Sequence, residues 1–228
     1  MPEPLIPDNS LDAGPEVSPY LSPSCRVYFK GGRQFTIPYD LLRPSKKLET
    51  YGSWYEIRLS DIPDEAGHVL IHYIHTGTWQ TLKVNKSTPA AIHSTQLNIS
   101  LHVYAAAQAY ELPNLAELAK EKISHYAGGL PDLEILVLAS DAGRLLEEDD
   151  LWFSGFIKLR ILQLLEDPAS LNKPEFLTCF DNATKYTRML VKSLIDICCD
   201  KPTSVNPAVS RPKSPFESNA ASEPGQEP

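Results

Sequence analysis

Cysteine is scarce in this 228-residue chain: four in all, at positions 25, 179, 198 and 199. None forms a C-x-x-C pair, so neither a disulfide framework nor a zinc knuckle is expected. Reduced thiols fit a cytoplasmic or nuclear setting, or both, which is the expected localisation. No apolar run approaches the ~20 residues that span a bilayer, so no membrane partner is expected. The opening MPEPLIPDNSLDAGPE is acidic and proline-bearing, without the basic start and apolar stretch of a secretory signal. Positive charge is short as well: 21 Lys and Arg stand against 29 Asp and Glu, a net −8. That balance argues against nucleic acid as the main partner. Also absent are the G-x-S-x-G elbow, the G-x-x-x-x-G-K-[ST] phosphate loop and the G-x-G-x-x-G turn.

Both ends of the chain are rich in proline and serine. Residues 1–23 and 201–228 are expected to be disordered, because neither can bury enough surface to offset chain entropy. Ser214-Pro215, preceded by Arg211 and Lys213, is a candidate phosphorylation site in the tail. Between the ends, residues 24–127 read as a mixed α+β unit and 128–200 as a helical extension.

CRVYFKG (25–31) alternates, with Val27 and Phe29 on one face, and Gly31-Gly32 supplies a turn. RQFTIPY (33–39) alternates again, and EIRLSDI (56–62) is a third strand candidate, with a short helix-like piece, YDLLRPSKKL, between them. Residues 63–75 make a helix, capped by Asp61, opened by Pro63 and stopped by Gly77. TWQTLKV (78–84) reads as extended and NKSTPAAIHSTQLN (85–98) as a loop. Helices then follow over 101–110, from Pro113, over 133–146 and over 151–165, the last capped by Asp150. Asn172 and Glu175 have capping-box spacing and open a long helical stretch carrying Leu177, Phe180, Leu190, Leu194 and Cys198.

One pattern invites a chemical reading. His68, His72 and His75 lie on the helix over 63–75. With His68 at zero, His72 falls near about 40° and His75 near about 340°, roughly opposite the stripe of Val69, Leu70, Tyr73 and Ile74. A metal-dependent enzyme built on this face is one reading. A zinc site would need a third ligand and an ordered outer shell, however, and no acid stands between His68 and His72 to activate water. The alternative is a solvated or partner-facing stripe that gains charge below about pH 6.5. No catalytic, metal or cofactor residue is therefore expected.

Several strings carry a family resemblance: FTIPYDLL (35–42), Ser45, EIRLSDI (56–62), VLIHYIHTGTW (69–79) and LHVYAAAQAYELPNLAELAKEKI (101–123). Together they resemble a BTB/POZ domain of the fungal type over about residues 25–126. The last block carries most of the likeness through Val103, Tyr104, Ala107, Tyr110, Leu112, Leu115 and Ala119. The resemblance implies a small mixed sheet flanked by helices, a homodimer and recruitment of protein partners. It admits a cullin scaffold of ubiquitin ligases as a partner, although the local triplet Val84-Asn85-Lys86 ends in the opposite charge to the family's motif.

The expected function is thus a non-enzymatic adaptor or scaffold that binds proteins. A nuclear transcription or chromatin regulator using the same domain is the rival reading. Candidate contact residues are Val27, Tyr28 and Phe29 on the first strand, Leu41 and Leu48 on the short helix, and Trp79 after the Thr-Gly.

Overall fold

A computed structural model describes residues 18, 21–50, 55–86, 88–166, 168–180 and 184–200. The fold is α+β and mostly helical, with a small mixed sheet of three strands. Residues 21–23 of the N-terminal segment are placed against the sheet, with Ser22 Oγ accepting from Asp40 N and Pro23 O from Tyr39 N; apart from these and Ser18, the disorder expected for that segment and for the C-terminal tail, and the Ser214 site, lie outside the described residues.

Alternation builds the sheet. On β1 (Ser24–Phe29), Cys25, Val27 and Phe29 turn inward and are buried. The Gly31-Gly32 turn, with Gly32 at φ +75°, folds β2 (Gln34–Pro38) back antiparallel, so that Val27 faces Phe35 and Cys25 faces Ile37. β3 (Glu56–Leu59) pairs with β1 in parallel, placing Ile57 and Leu59 beside Val27 and Phe29. β1 is therefore the central strand. Between β2 and β3 run a 3-10 turn (Tyr39–Leu42) and a short helix, α1 (Lys46–Thr50). Ser45 ties α1 down: its hydroxyl accepts from Leu48 N and donates to Tyr110 O.

α2 (Asp64–Thr76) packs Ala66, Gly67, Val69 and Leu70 inward, and Gly77, at φ +70°, ends it in the left-handed conformation. The expected Asp61 cap is not used. Pro63 holds the N-cap position without a side-chain bond, and Asp64 accepts instead from Gly31 N at 3.0 Å, pinning the hairpin turn to α2. Gly67 lies directly under the Phe29 ring, where a Cβ would overlap it.

α3 (Pro89–Ala109) begins earlier than the sequence suggested. The stretch 85–98 is not simply a loop. Thr88 caps the helix by accepting from Ala91 N at 3.2 Å, and Pro89 suits its first turn. Threonine before proline was the start signal, and it was outweighed by polar composition. From Leu101 to Ala107 every residue of α3 is buried. Alanine at 105–107 lets α4 (Pro113–Ala127) approach closely, with Leu115, Ala116, Ala119 and Ile123 buried against it.

α5 (Asp132–Gly143) covers another side of α3. α6 (Leu151–Leu164) follows, capped as expected: Asp150 accepts from Phe153 N at 2.8 Å. The long helix expected from Asn172 onward is instead two, α7 (Pro174–Thr178) and α8 (Lys185–Asp200). Pro174 opens α7 without a side-chain cap, and Thr184 starts a fresh helix by accepting from Thr187 N at 3.2 Å. α8 packs on α6 and α5, where Tyr186 donates to Leu136 O at 2.7 Å and covers Gly143.

Candidate interaction surface

The three histidines of α2 do not point to one centre. The rings of His68 and His72 stack with centroids 6.2 Å apart. His72 Nε2 is 3.0 Å from Thr78 Oγ1 and is engaged there. Burial, then the neighbouring His72, lowers the pKa of His68, which favours its neutral form. Its Nε2 is buried without a hydrogen-bond partner, while His75 is exposed. Among the described residues, no three His, Cys, Asp or Glu side chains are placed to hold one ion.

Of the contact residues expected from sequence, Val27, Phe29 and Leu48 are 2, 3 and 2% exposed and belong to the core. The cause is topological. A central strand has neighbours on both edges, and its inward face is needed by α2. Tyr28 is half-buried, with its hydroxyl donating to Gln34 Oε1 and the Arg58 guanidinium 5.0 Å above its ring. Leu41 is half-buried and lines a small groove with Leu48, Tyr73, Ile74 and Leu112. Trp79 packs against the core from a partly buried position. The structure does not gather these six residues into one surface patch.

What the structure does gather is polar at one place and apolar at another. The polar place joins α3 to the start of α6. Tyr104, wholly buried, donates its hydroxyl to the Asp150 carboxylate, 2.8 and 2.9 Å from the two oxygens. Gln108 Nε2 lies 2.9 Å from both the Tyr104 oxygen and Asp150 Oδ2 and donates to them. Burial first, and then this carboxylate, push the Tyr104 hydroxyl well above its usual range. Lys120 sits over the rings of Tyr104 and Trp152. Asp150 therefore serves three donors at once, from Tyr104, Gln108 and Phe153 N. Sequence reasoning found its capping role but not its partner 46 residues away.

The apolar place is the outer side of α6. Leu151, Gly155, Leu159 and Leu162 fall within about 80° of one another around the helix. The three leucines are 87, 49 and 41% exposed. The buried stripe of Phe153, Ile157, Ile161 and Leu164 lies on the other side. On α8, Val191 and Ile195 are also exposed, and a groove between the helices is bordered by Leu151, Gly155, Lys158, Lys192 and Asp196. The signal was present in LWFSGFIKLRILQLL, which is apolar at too many positions for a helix with a single covered side.

No solved structure matches this chain. Residues 37–130 match the family described as the HAC6 N-terminal domain. Over 99 residues the chain is 29% identical to a subtelomeric hrmA-associated cluster protein of Aspergillus fumigatus, found in two strains. The match covers 43% of this chain and only 25% of those relatives, so the chain spans about a quarter of their length. These findings overturn the BTB/POZ resemblance. The block that carried most of it, Val103 to Ala119, records what any alanine-rich helical hairpin requires: Val103, Tyr104, Ala107, Leu115 and Ala119 are all buried in the α3–α4 contact region. Over 37–130, then, this chain is similar to the HAC6 N-terminal domain, and over 99 residues it is similar to part of a much longer fungal protein.

Proposed function

We propose that this chain is a protein-binding module, not an enzyme, and that it binds through the outer side of α6 and the adjoining part of α8. The observation that carries the reading is the row of leucines at 151, 159 and 162, with Val191 and Ile195 on the neighbouring helix, all turned to solvent. Scattered single apolar side chains are ordinary on a protein surface, whereas a row of leucines along one side of a helix supports a contact site. Beside the row on the same helix, Trp152 stacks on Phe156 at 5.7 Å and adds partly buried aromatic surface at its edge. The polar groups with altered titration are consistent with this role. Tyr104 and Tyr186 are held in structural hydrogen bonds, and His102 is engaged with Asn98 O.

The test compares affinity-tagged wild type with a Leu159→Asp, Ile195→Asp double variant. Both positions are exposed, so circular dichroism of the variant should match wild type. At least one protein, a second copy included, should be retained by wild type and lost by the variant. Identical retained sets would end the reading.

A further inference from the structure

We infer that His72 is a latch on the end of α2: its Nε2 carries a hydrogen in every charge state and donates it to Thr78, closing a ring of hydrogen bonds that fixes the turn leading to Trp79. This role is independent of the α6 surface.

The hydrogens can be counted. Thr76 Oγ1 lies 2.8 Å from the carbonyl oxygen of His72. A carbonyl has no hydrogen to give, so the Thr76 hydroxyl donates there and its one hydrogen is spent. Thr76 Oγ1 also lies 2.8 Å from Thr78 Oγ1, and toward it can only accept. The Thr78 hydroxyl is therefore the donor in that contact, and its hydrogen is spent too. Toward His72 Nε2, 3.0 Å away, Thr78 Oγ1 is left as an acceptor, so the hydrogen between them belongs to the imidazole. Thr78 N donates to Thr76 Oγ1 at 3.2 Å and fills the second lone pair of that oxygen. The carbonyl at the base of the ring thus sets the direction of every bond in it.

The ring acts where the backbone already turns. Gly77, at φ +70°, donates its N–H to Tyr73 O and stops the helix. Thr78 comes next, and Trp79 after it packs partly buried against the core. His72 is a positioning residue for this turn, acting through Thr78.

The fixed direction has chemical consequences. A neutral His72 keeps its lone pair on Nδ1, so its Nε2 serves neither as a base nor as a metal ligand. Acid adds the second hydrogen at Nδ1 and leaves the Nε2–H in place, so the latch holds as the ring charges. The titratable side chains beside His72 belong to α2 itself: His68, stacked at 6.2 Å, and His75, three residues on. Burial favours the neutral form of His68, which limits repulsion between the stacked rings. Among the described residues, no Asp, Glu, Lys or Arg of another element pairs with His72.

Long-range nitrogen–proton correlation NMR of the full chain is the test, run at about pH 8 and about pH 5, either side of the ordinary histidine value. The chain has six histidines, and the His72 signals are those missing from His72→Gln. At the higher pH, Nε2 alone should carry the hydrogen. At the lower, only Nδ1 should change. Thr78→Val removes the hydroxyl, so the His72 ring should then sample both neutral tautomers. Amide exchange over 77–79 should quicken about fivefold, the worth of one net hydrogen bond. Thr78→Ser keeps a hydroxyl and should restore both readings. Position 78 is exposed, so circular dichroism of these variants should match wild type. If the valine variant departs from it, the wild-type spectrum and Thr78→Ser still decide. A wild-type His72 with mixed tautomers or a hydrogen on Nδ1 at the higher pH would overturn the inference. So would a tautomer and exchange rate unmoved by Thr78→Val, or a Thr78→Ser protein that behaves like the valine variant.

Discussion

α3 and α6 are both apolar around most of their circumference, yet they have opposite fates. α3 is enclosed by α2, α4 and α5, and from Leu101 to Ala107 no side chain reaches solvent appreciably. α6 is covered by α5 and α8 on one side only, and Leu151 on the other is 87% exposed. An all-round apolar helix needs neighbours all round. α3 finds them within the chain, and α6 does not. The difference teaches that the sequence of a helix states how much covering it needs, not whether the same chain supplies it.

Substitutions can break this contrast. Leu101→Ala should destabilise the fold by ~2–5 kcal/mol, through lost burial and the cavity left behind. Leu151→Ala should stay within about 0.5 kcal/mol. Chemical denaturation of the two variants side by side checks this, and equal losses would erase the distinction between the helices.

The joint between the two helices sharpens it further. Tyr104→Phe keeps the ring but removes a hydroxyl that serves a carboxylate, so a loss of about 1–3 kcal/mol is expected, less than for Leu101→Ala at the upper end. The Gln108–Asp150 contact beside it should lose order with it, which a shift in the Trp152 fluorescence would report.

Acid should act on α3 through His102. Burial, the largest influence, lowers its folded pKa below the usual 6.5, and Lys30 adds to this, while the Asn98 carbonyl and Asp141 oppose it. The sign follows from linkage: the neutral form is favoured in the folded state. Its contribution is complete above the unfolded value and is lost as pH falls through the folded one. Thermal stability should therefore decline on acidification below about pH 6.5, and His102→Gln should flatten that decline in part, since His68 titrates with the same sign.

One small effect is expected to be a gain. Gly155→Ala should raise the stability of the monomer by ~0.5–1 kcal/mol, because the added methyl meets nothing in the chain and favours the helix. A melting curve of the variant beside wild type checks this.

Much of the architecture was legible in the residues. Alternation in CRVYF and QFTIP announced β1 and β2, and Gly77 and Asp150 marked helix ends, because each signal is local. The start of α3 differs from the expected loop because Thr88-Pro89 is a short signal inside a polar stretch. The candidate surface was less legible. Val27 and Phe29 have the composition of contact residues, but only pairing on both edges of β1 reveals that they are core. Nothing in the sequence marks Leu151 and Leu159 as exposed, because periodicity assigns stripes without saying which stripe another element covers. The Tyr104–Asp150 bond could not be read at all, since 46 residues of chain intervene.

That bond also bears on how the polypeptide can be shortened. A fragment ending at Ala127 would retain Tyr104 but discard its acceptor, along with α5, which roofs the same helix. The match over 37–130 has the complementary defect at its front, since it begins inside β2 and omits β1, the strand to which both others are bonded. Expression work should accordingly keep 21–200 intact, because either trimmed piece would present sticky, half-built surfaces and be prone to precipitate.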